Sequence, residues 1–222
     1  MLYIVSTPIG NLEDITLRAI RTLKEVDLIA AEDTRHSRIL LDKYEISKPI
    51  TSYHSYTDDR KLEQIISVLK EGKSVAVISD AGTPGVSDPA YTLIKRAIEE
   101  GIQICPIPGA SSLLSALVMS GMKMNQFIYL GFLPLKKGRQ TLLKSLADEE
   151  RTMIIFEAPH RIERTLKDLK EYLGDRQIAV CREITKIFEE SLRGKISEMI
   201  THFEKTKPRG EFVLVLGDSL EA

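Results

Sequence analysis

Three short stretches of small, polar and imino residues stand out for the chemistry they could support. They are Ser6-Thr7-Pro8-Ile9-Gly10-Asn11, Ser79-Asp80-Ala81-Gly82-Thr83-Pro84-Gly85 and Pro106-Ile107-Pro108-Gly109-Ala110-Ser111-Ser112. Each follows an apolar run and precedes a helical pattern. Glycine has no Cβ, so such turns let backbone N–H groups approach a ligand closely. The central turn has neither the Gly-Lys-Ser/Thr of a phosphate-binding loop nor a G-x-G-x-x-G dinucleotide fingerprint, which points away from ATP and NAD. One such turn needs no explanation beyond tight geometry. Three at strand ends in one half of a chain make a coherent ligand edge.

Charged groups cluster at other strand ends. Glu32-Asp33-Thr34-Arg35 reads either as a capped helix start or as a polar cluster at the rim of the ligand edge. Phe156-Glu157-Ala158-Pro159-His160-Arg161 and Arg182-Glu183-Ile184-Thr185-Lys186 offer further acid–base groups. Arg209-Gly210-Glu211 precedes the last apolar run. Lys136, Lys137, Arg139 and Lys144 form a basic group with no acid among them, read either as a solvated helix face or as a grip on phosphates. The four histidines show no metal-ligand spacing, so no metal is expected.

These groups need a scaffold, and apolar periodicity supplies one. Leu2 to Ser6, Asp27 to Ala31, Val75 to Ile78 and Ile102 to Ile107 read as strands. Helical faces lie at Ala19-Ile20-Leu23-Val26, Ile39 to Tyr44, Leu62-Ile65-Ile66-Leu69 and Tyr91-Ile94-Ile98. Asp88 is expected to cap that last helix, with Pro89 in its first position. The alternation predicts a mostly parallel sheet covered by helices. Periodicity fails around Met119 to Gln126, which places a boundary between domains 1–120 and 121–222. Beyond it, Phe127 to Gly131, Met153 to Glu157, Ile178 to Arg182, Glu189 to Gly194 and Phe212 to Leu216 read as strands. Helices are expected near Gly138 to Leu146, Ile162 to Leu173 and Ile196 to Phe203, and consecutive strands there imply a mixed sheet.

At 222 residues and a net charge of −1, the chain has the size and composition of a soluble globular protein. It is not a general nucleic-acid coat, although a local basic patch remains compatible. No run approaches the roughly 18 apolar residues of a membrane span, so the cytoplasm is expected. Cys105 and Cys181 lie in apolar runs and are expected to be buried thiols.

Taken together and in order, Ser6 to Asn11, Glu32 to Arg35, Ile78 to Pro89, Pro108 to Ser112, Gly131-Phe132-Leu133-Pro134, Phe156 to Arg161, Arg182 to Lys186 and Arg209 to Glu211 resemble the tetrapyrrole (corrin/porphyrin) methylase superfamily. The match is to its branch acting on small-subunit ribosomal RNA. The resemblance implies two α/β domains with S-adenosylmethionine in the cleft between them, usually in a homodimer. It implies 2′-O-methylation of a cytidine ribose in the decoding region of 16S rRNA within the 30S subunit. Carried over by position, Pro8, Asp80, Thr83, Ser111 and Ser112, with the Gly82 turn, would contact the donor from the first domain. Phe156, Glu157 and Gly210 would contact it from the second. Candidate bases are Glu32, Asp33, Glu157 and Glu183, with Arg35, Arg161 and Lys186 as charge partners; Asp33 with Arg35 is the first choice, and the sequence does not decide between it and Glu183 with Lys186. Members of this branch often extend past the final strand into a segment that helps hold RNA. This sequence runs to Ala222, which puts more weight on Lys136 to Lys144 and on a dimer-wide surface. The competing readings are a relative that methylates a porphyrinoid or a protein side chain, and an RNA-binding module without chemistry.

Overall fold

The computed structural model describes residues 1–54 and 59–217. It divides into two compact units, Met1–Ser111 and Ser112–Ala222.

The first unit alternates strand and helix: β1 (Leu2–Val5), α1 (Leu17–Glu25), β2 (Leu28–Ala31), α2 (Thr34–Lys43), β3 (Ile50–Ser52), α3 (Asp59–Lys70), β4 (Val75–Ile78), α4 (Ala90–Glu99) and β5 (Ile104–Ile107). Its sheet has the order β3-β2-β4-β1-β5, and every pairing is parallel. A parallel sheet needs helices on both faces, and the strand alternation sorts the side chains accordingly. Val5, Ala76 and Ile78 pack with Ala19 and Leu23 of α1 and Leu40 and Leu41 of α2. Leu2, Ile4, Val75 and Val77 pack with Ile65, Ile66 and Leu69 of α3 and Leu93 and Ala97 of α4. The expected doubly covered parallel sheet is therefore present, with β3 added at one edge.

Strand order has a direct consequence for chemistry. The chain leaves β1 towards β2 and leaves β4 towards β5, so the connections after these two neighbouring strands depart in opposite directions. Ligands of open α/β sheets bind at such a switch point, at the carboxyl ends of the strands.

The second unit contains α5 (Ser112–Ser120), β6 (Phe127–Phe132), α6 (Arg139–Ser145), β7 (Thr152–Glu157), α7 (Ile162–Leu173), β8 (Gln177–Arg182), β9 (Glu190–Lys195), α8 (Ile196–Lys205) and β10 (Phe212–Gly217). The sheet runs β6-β7-β10-β8-β9, parallel only between β6 and β7. One core joins Met153, Ile155, Val180, Phe212 and Leu214 of the sheet to Leu143, Leu166, Leu169, Ile196 and Phe203 of the helices. The mixed sheet expected from consecutive strands is thus observed.

Several details differ from the sequence reading. The units divide at Ser111/Ser112 and not at 120/121, because α5 packs on β8, β9 and β10 of the second sheet. Pro89 precedes α4 and does not open it. The Asp88 carboxylate still caps the start, accepting from the N–H of Ala90 at 2.9 Å and of Gly85 at 2.7 Å. Cys181 is buried, whereas Cys105 is only partly so, and both thiols are free. Among the described residues no helix is long and apolar enough to cross a membrane.

Candidate active site

The three small-residue turns follow β1, β4 and β5, which are adjacent in the sheet, and they are joined there by hydrogen bonds and close packing. The Thr7 N–H donates to the Gly82 carbonyl at 2.9 Å, and the Gly82 N–H returns the bond at 3.1 Å. Beneath this pair the Thr7 hydroxyl donates to the Ser79 carbonyl at 3.0 Å. The Ser6 and Thr83 hydroxyls lie 2.8 Å apart. Gly82 adopts φ +80°, a conformation that glycine reaches without Cβ strain. The third turn presses on the first: a Cβ at Gly109 would stand 2.9 Å from Ser6 Cβ. Pro8, Asp80, Gly82, Thr83 and Ser111 are therefore gathered on one backbone-lined edge, and Ser112 begins α5 next along the chain.

A fourth strand, β2, lies beside β4 and brings its own turn to this edge. The Glu32 carboxylate accepts the Asp80 N–H at 3.2 Å, and the Asp80 carboxylate accepts the Asp33 N–H at 3.2 Å. Burial pushes the Glu32 carboxyl up from its ordinary range. The Asp80 N–H opposes this, while the charges of Asp80 and Asp88 add to it. Asp33 is the cap of α2, accepting the Arg35 N–H at 2.8 Å. The Arg35 guanidinium bonds the same carboxylate and lowers its proton affinity. The Arg35 side chain is 90% exposed. Asp33 and Arg35 thus form a capped helix start, and the Asp33 N–H on Asp80 keeps that start at the rim of the same edge.

In the second unit the antiparallel register places Glu157, Phe212 and Arg182 in one row at a single end of the sheet. Glu157 is 2% exposed. One carboxylate oxygen accepts the Ala158 N–H at 2.9 Å and pairs with Arg161 at 3.1 Å, and the other accepts the Thr165 hydroxyl. With both oxygens engaged and buried, Glu157 organises the strand end and is not available as a free base. Phe156 stacks edge-on between Tyr129 and Phe132, at 5.1 and 5.7 Å between centroids.

Glu183 and Lys186 form a built pair. The Glu183 carboxylate accepts the Glu211 N–H and the Lys186 ammonium, each at 3.0 Å. Lys186 also reaches Glu211 at 2.9 Å. Burial works against the charged form of both groups, yet the Glu211 N–H and Lys186 hold Glu183 below the ordinary carboxylate range, and the two carboxylates hold Lys186 above the ordinary amine range. Glu183 and Thr185 adopt φ of 49° and 69°, and such left-handed non-glycine residues concentrate at functional sites. Gly210, at φ +83°, is required here: a Cβ would stand 2.5 Å from Glu183 Cγ.

The basic group separates into two kinds of residue. Lys136, Lys137 and Lys144 are exposed. Arg139 is not part of a phosphate grip, since it is 3% exposed and its guanidinium bonds Asp168 at 2.6 Å, Thr165 Oγ1 at 2.8 Å and the Pro134 carbonyl at 3.2 Å. Its spacing carried the signal, because Arg139 lies four residues before buried Leu143 and shares the inward face of α6. Thr165 and Asp168, which sequence reasoning passed over, are the partners that make this burial tolerable.

The family model for Tetrapyrrole (Corrin/Porphyrin) Methylases matches residues 1–200. The chain is 52% identical over 215 residues to a protein of Thermotoga maritima named ribosomal RNA small subunit methyltransferase I, covering 97% of each. A Bacillus subtilis protein of the same name is 48% identical over 220 residues, covering 99% of this chain and 75% of that protein. Among solved structures, a cobalt precorrin-4 methyltransferase aligns with a TM-score of 0.73 at 18% identity, over 97% of this chain and 94% of that one. A uroporphyrin-III C-methyltransferase from Thermus thermophilus aligns with a TM-score of 0.69 at 18% identity, over 97% and 93%. At such identity these two bear on the fold alone, and they share it. The chain belongs to the tetrapyrrole (corrin/porphyrin) methylase family.

Proposed function

We propose that this methyltransferase uses S-adenosylmethionine to methylate the 2′-hydroxyl of a cytidine ribose in the decoding region of 16S rRNA, within the 30S subunit. We further infer that it works as a homodimer in the cytoplasm. The observation that carries the reading is the joining of the three turns at the switch point of the first sheet, through Thr7 with Gly82, Ser6 with Thr83, and Gly109 against Ser6. The names of the relatives, at about half identity over the full chain, support the ribosomal substrate.

The residues suit such a donor. The edge offers backbone and hydroxyl partners with little side-chain bulk, and the missing Cβ of Gly109 lets the third turn close against Ser6. When bound, S-adenosylmethionine supplies a methyl carbon made electrophilic by its sulfonium. Pro8, Asp80, Gly82, Thr83, Ser111 and Ser112 would contact the donor, as would Phe156, Glu157 and Gly210. In-line displacement requires oxygen, carbon and sulfur to be collinear, and rigid holding provides much of the rate.

A ribose hydroxyl is a weak nucleophile at neutral pH, so the developing oxyanion needs help. Asp33 with Arg35 is the first choice from the sequence; burial and backbone strain instead favour Glu183 with Lys186 over that solvated pair. Lys186, kept cationic by Glu183 and Glu211, would stabilise the oxyanion, and Glu183 would accept its proton. Lys136, Lys137 and Lys144 would meet phosphates.

The deciding experiment incubates 30S subunits from a strain lacking this gene with the protein and methyl-labelled donor, then maps the label by nuclease digestion and mass spectrometry. One labelled ribose in the decoding region is expected. Tight donor binding with no label in 30S would sink the ribosomal reading in favour of a porphyrinoid or protein substrate.

A further inference from the structure

Two guanidinium groups in the second unit, Arg139 and Arg161, do something that the RNA-facing lysines beside them cannot. Residues 133–138 link β6 to α6. Leu133 is buried, while Leu135, Lys136 and Lys137 are exposed. The carbonyls of two successive residues at the start of this loop are each held from below. The Leu133 carbonyl accepts from Arg161 Nη2, and the Pro134 carbonyl accepts from Arg139 Nη1 at 3.2 Å. Both arginines hang from one buried carboxylate. Arg161 Nε pairs with Glu157 directly, and Arg139 Nη2 donates to Thr165 Oγ1, whose hydroxyl proton goes to the other Glu157 oxygen. The chain of donors is consistent, because a hydroxyl gives one hydrogen bond and accepts others. Asp168, paired with Arg139 Nε at 2.6 Å, balances the second cation.

A buried network of two arginines and two carboxylates is a weak source of stability, since apolar residues of similar volume pack as well or better. What it supplies is geometry. Planar guanidinium groups bind several acceptors in fixed directions, which neither a lysine nor an apolar side chain reproduces.

We propose that Arg139 and Arg161 are positioning residues that, through Thr165 and Glu157, fix the 133–138 loop so that Lys136 and Lys137 meet the RNA backbone in register with the end of β7. The proposal rests on the ribosomal RNA reading above. Arg139 then affects RNA affinity without touching RNA.

The test uses Arg139→Lys and Thr165→Val in the full-length protein, well below its melting temperature. Hydrogen exchange of the Arg139 and Leu142 N–H groups, which bond the Lys136 and Gly138 carbonyls, reports the loop, titration with methyl donor reports the other ligand, and labelling of 30S subunits gives KM and kcat. Both variants are expected to accelerate exchange in the loop. Both should raise KM for 30S subunits about tenfold, and Arg139→Lys, which leaves Thr165 on Glu157, should change kcat and donor affinity less than about twofold. Arg139→Lys keeps the charge opposite Asp168, so a purely charge-balancing role would be rescued by it and a positioning role would not. Unchanged exchange, rescue by lysine, or fast exchange with unchanged KM would each overturn the inference while leaving the methyltransferase reading intact. If the wild-type protein itself labels no 30S RNA, the ribosomal reading fails and takes this inference with it.

Discussion

At the scale of single residues, exposure and partners decide which carboxylates matter. Four acidic side chains looked alike in the sequence, and the structure gives each a different state. Glu32 is raised by burial, Asp33 is a solvated cap, Glu157 is a buried hub and Glu183 is held by an N–H and an ammonium. Gly210→Ala forces a Cβ into Glu183 from a left-handed backbone. It should cost about 2 kcal/mol, read as a fall in melting temperature of roughly 4–8 °C. The Glu183–Lys186 pair also has a defined pH window. A carboxylate with a depressed folded-state pKa stabilises above its unfolded value, near 4.3, and loses that contribution as pH falls through the folded value. Lysine raised in the folded state stabilises below about 10.4 and loses it as pH rises further. Glu183→Gln should therefore flatten the acid limb of the stability curve below about pH 4.3, measured by urea unfolding across pH.

At the scale of elements, the site depends on turns that touch. Gly109 has an ordinary backbone, so Gly109→Ala adds no φ strain, only a methyl 2.9 Å from Ser6 Cβ. The clash with buried Ser6 should weaken donor binding about tenfold, measured by titration calorimetry, and cost about 1–3 kcal/mol of stability, measured by urea unfolding. A wild-type affinity in this variant would remove the third turn from the site. The end of β7 depends on Glu157, and Glu157→Ala leaves two arginines over one carboxylate. Breaking a buried pair in this way costs about 3–5 kcal/mol, visible as a lower urea midpoint. Strand and helix identities were largely legible from periodicity, Ile162–Leu173 to the residue. The strand β3 was not, because Ile50–Ser52 is three half-buried residues at a sheet edge and has no period to read. The start of α4 was misjudged by one residue because Asp88 caps through Gly85 and Ala90 together, leaving Pro89 outside the helix.

For the whole molecule, a net charge of −1 means that RNA attraction must come from local lysines and not from a general field. Replacing Lys136, Lys137 and Lys144 by alanine should reduce the salt slope of 30S binding by about 0.7 for each phosphate no longer neutralised. Filter binding across salt concentrations measures it, and an unchanged slope would assign RNA binding to another face. The sequence by itself determined the alternating first half, the mixed second half, the three small-residue turns and the family likeness, because periodicity and turn chemistry are local properties. Tertiary structure alone decided that β4, β1 and β5 are neighbours, that Thr7 meets Gly82, and that Arg139 turns inward to Thr165 and Asp168. Those outcomes depend on strand order and on partners many positions away. A side chain's role as base, cap or brace is set by what surrounds it, and local sequence does not contain that.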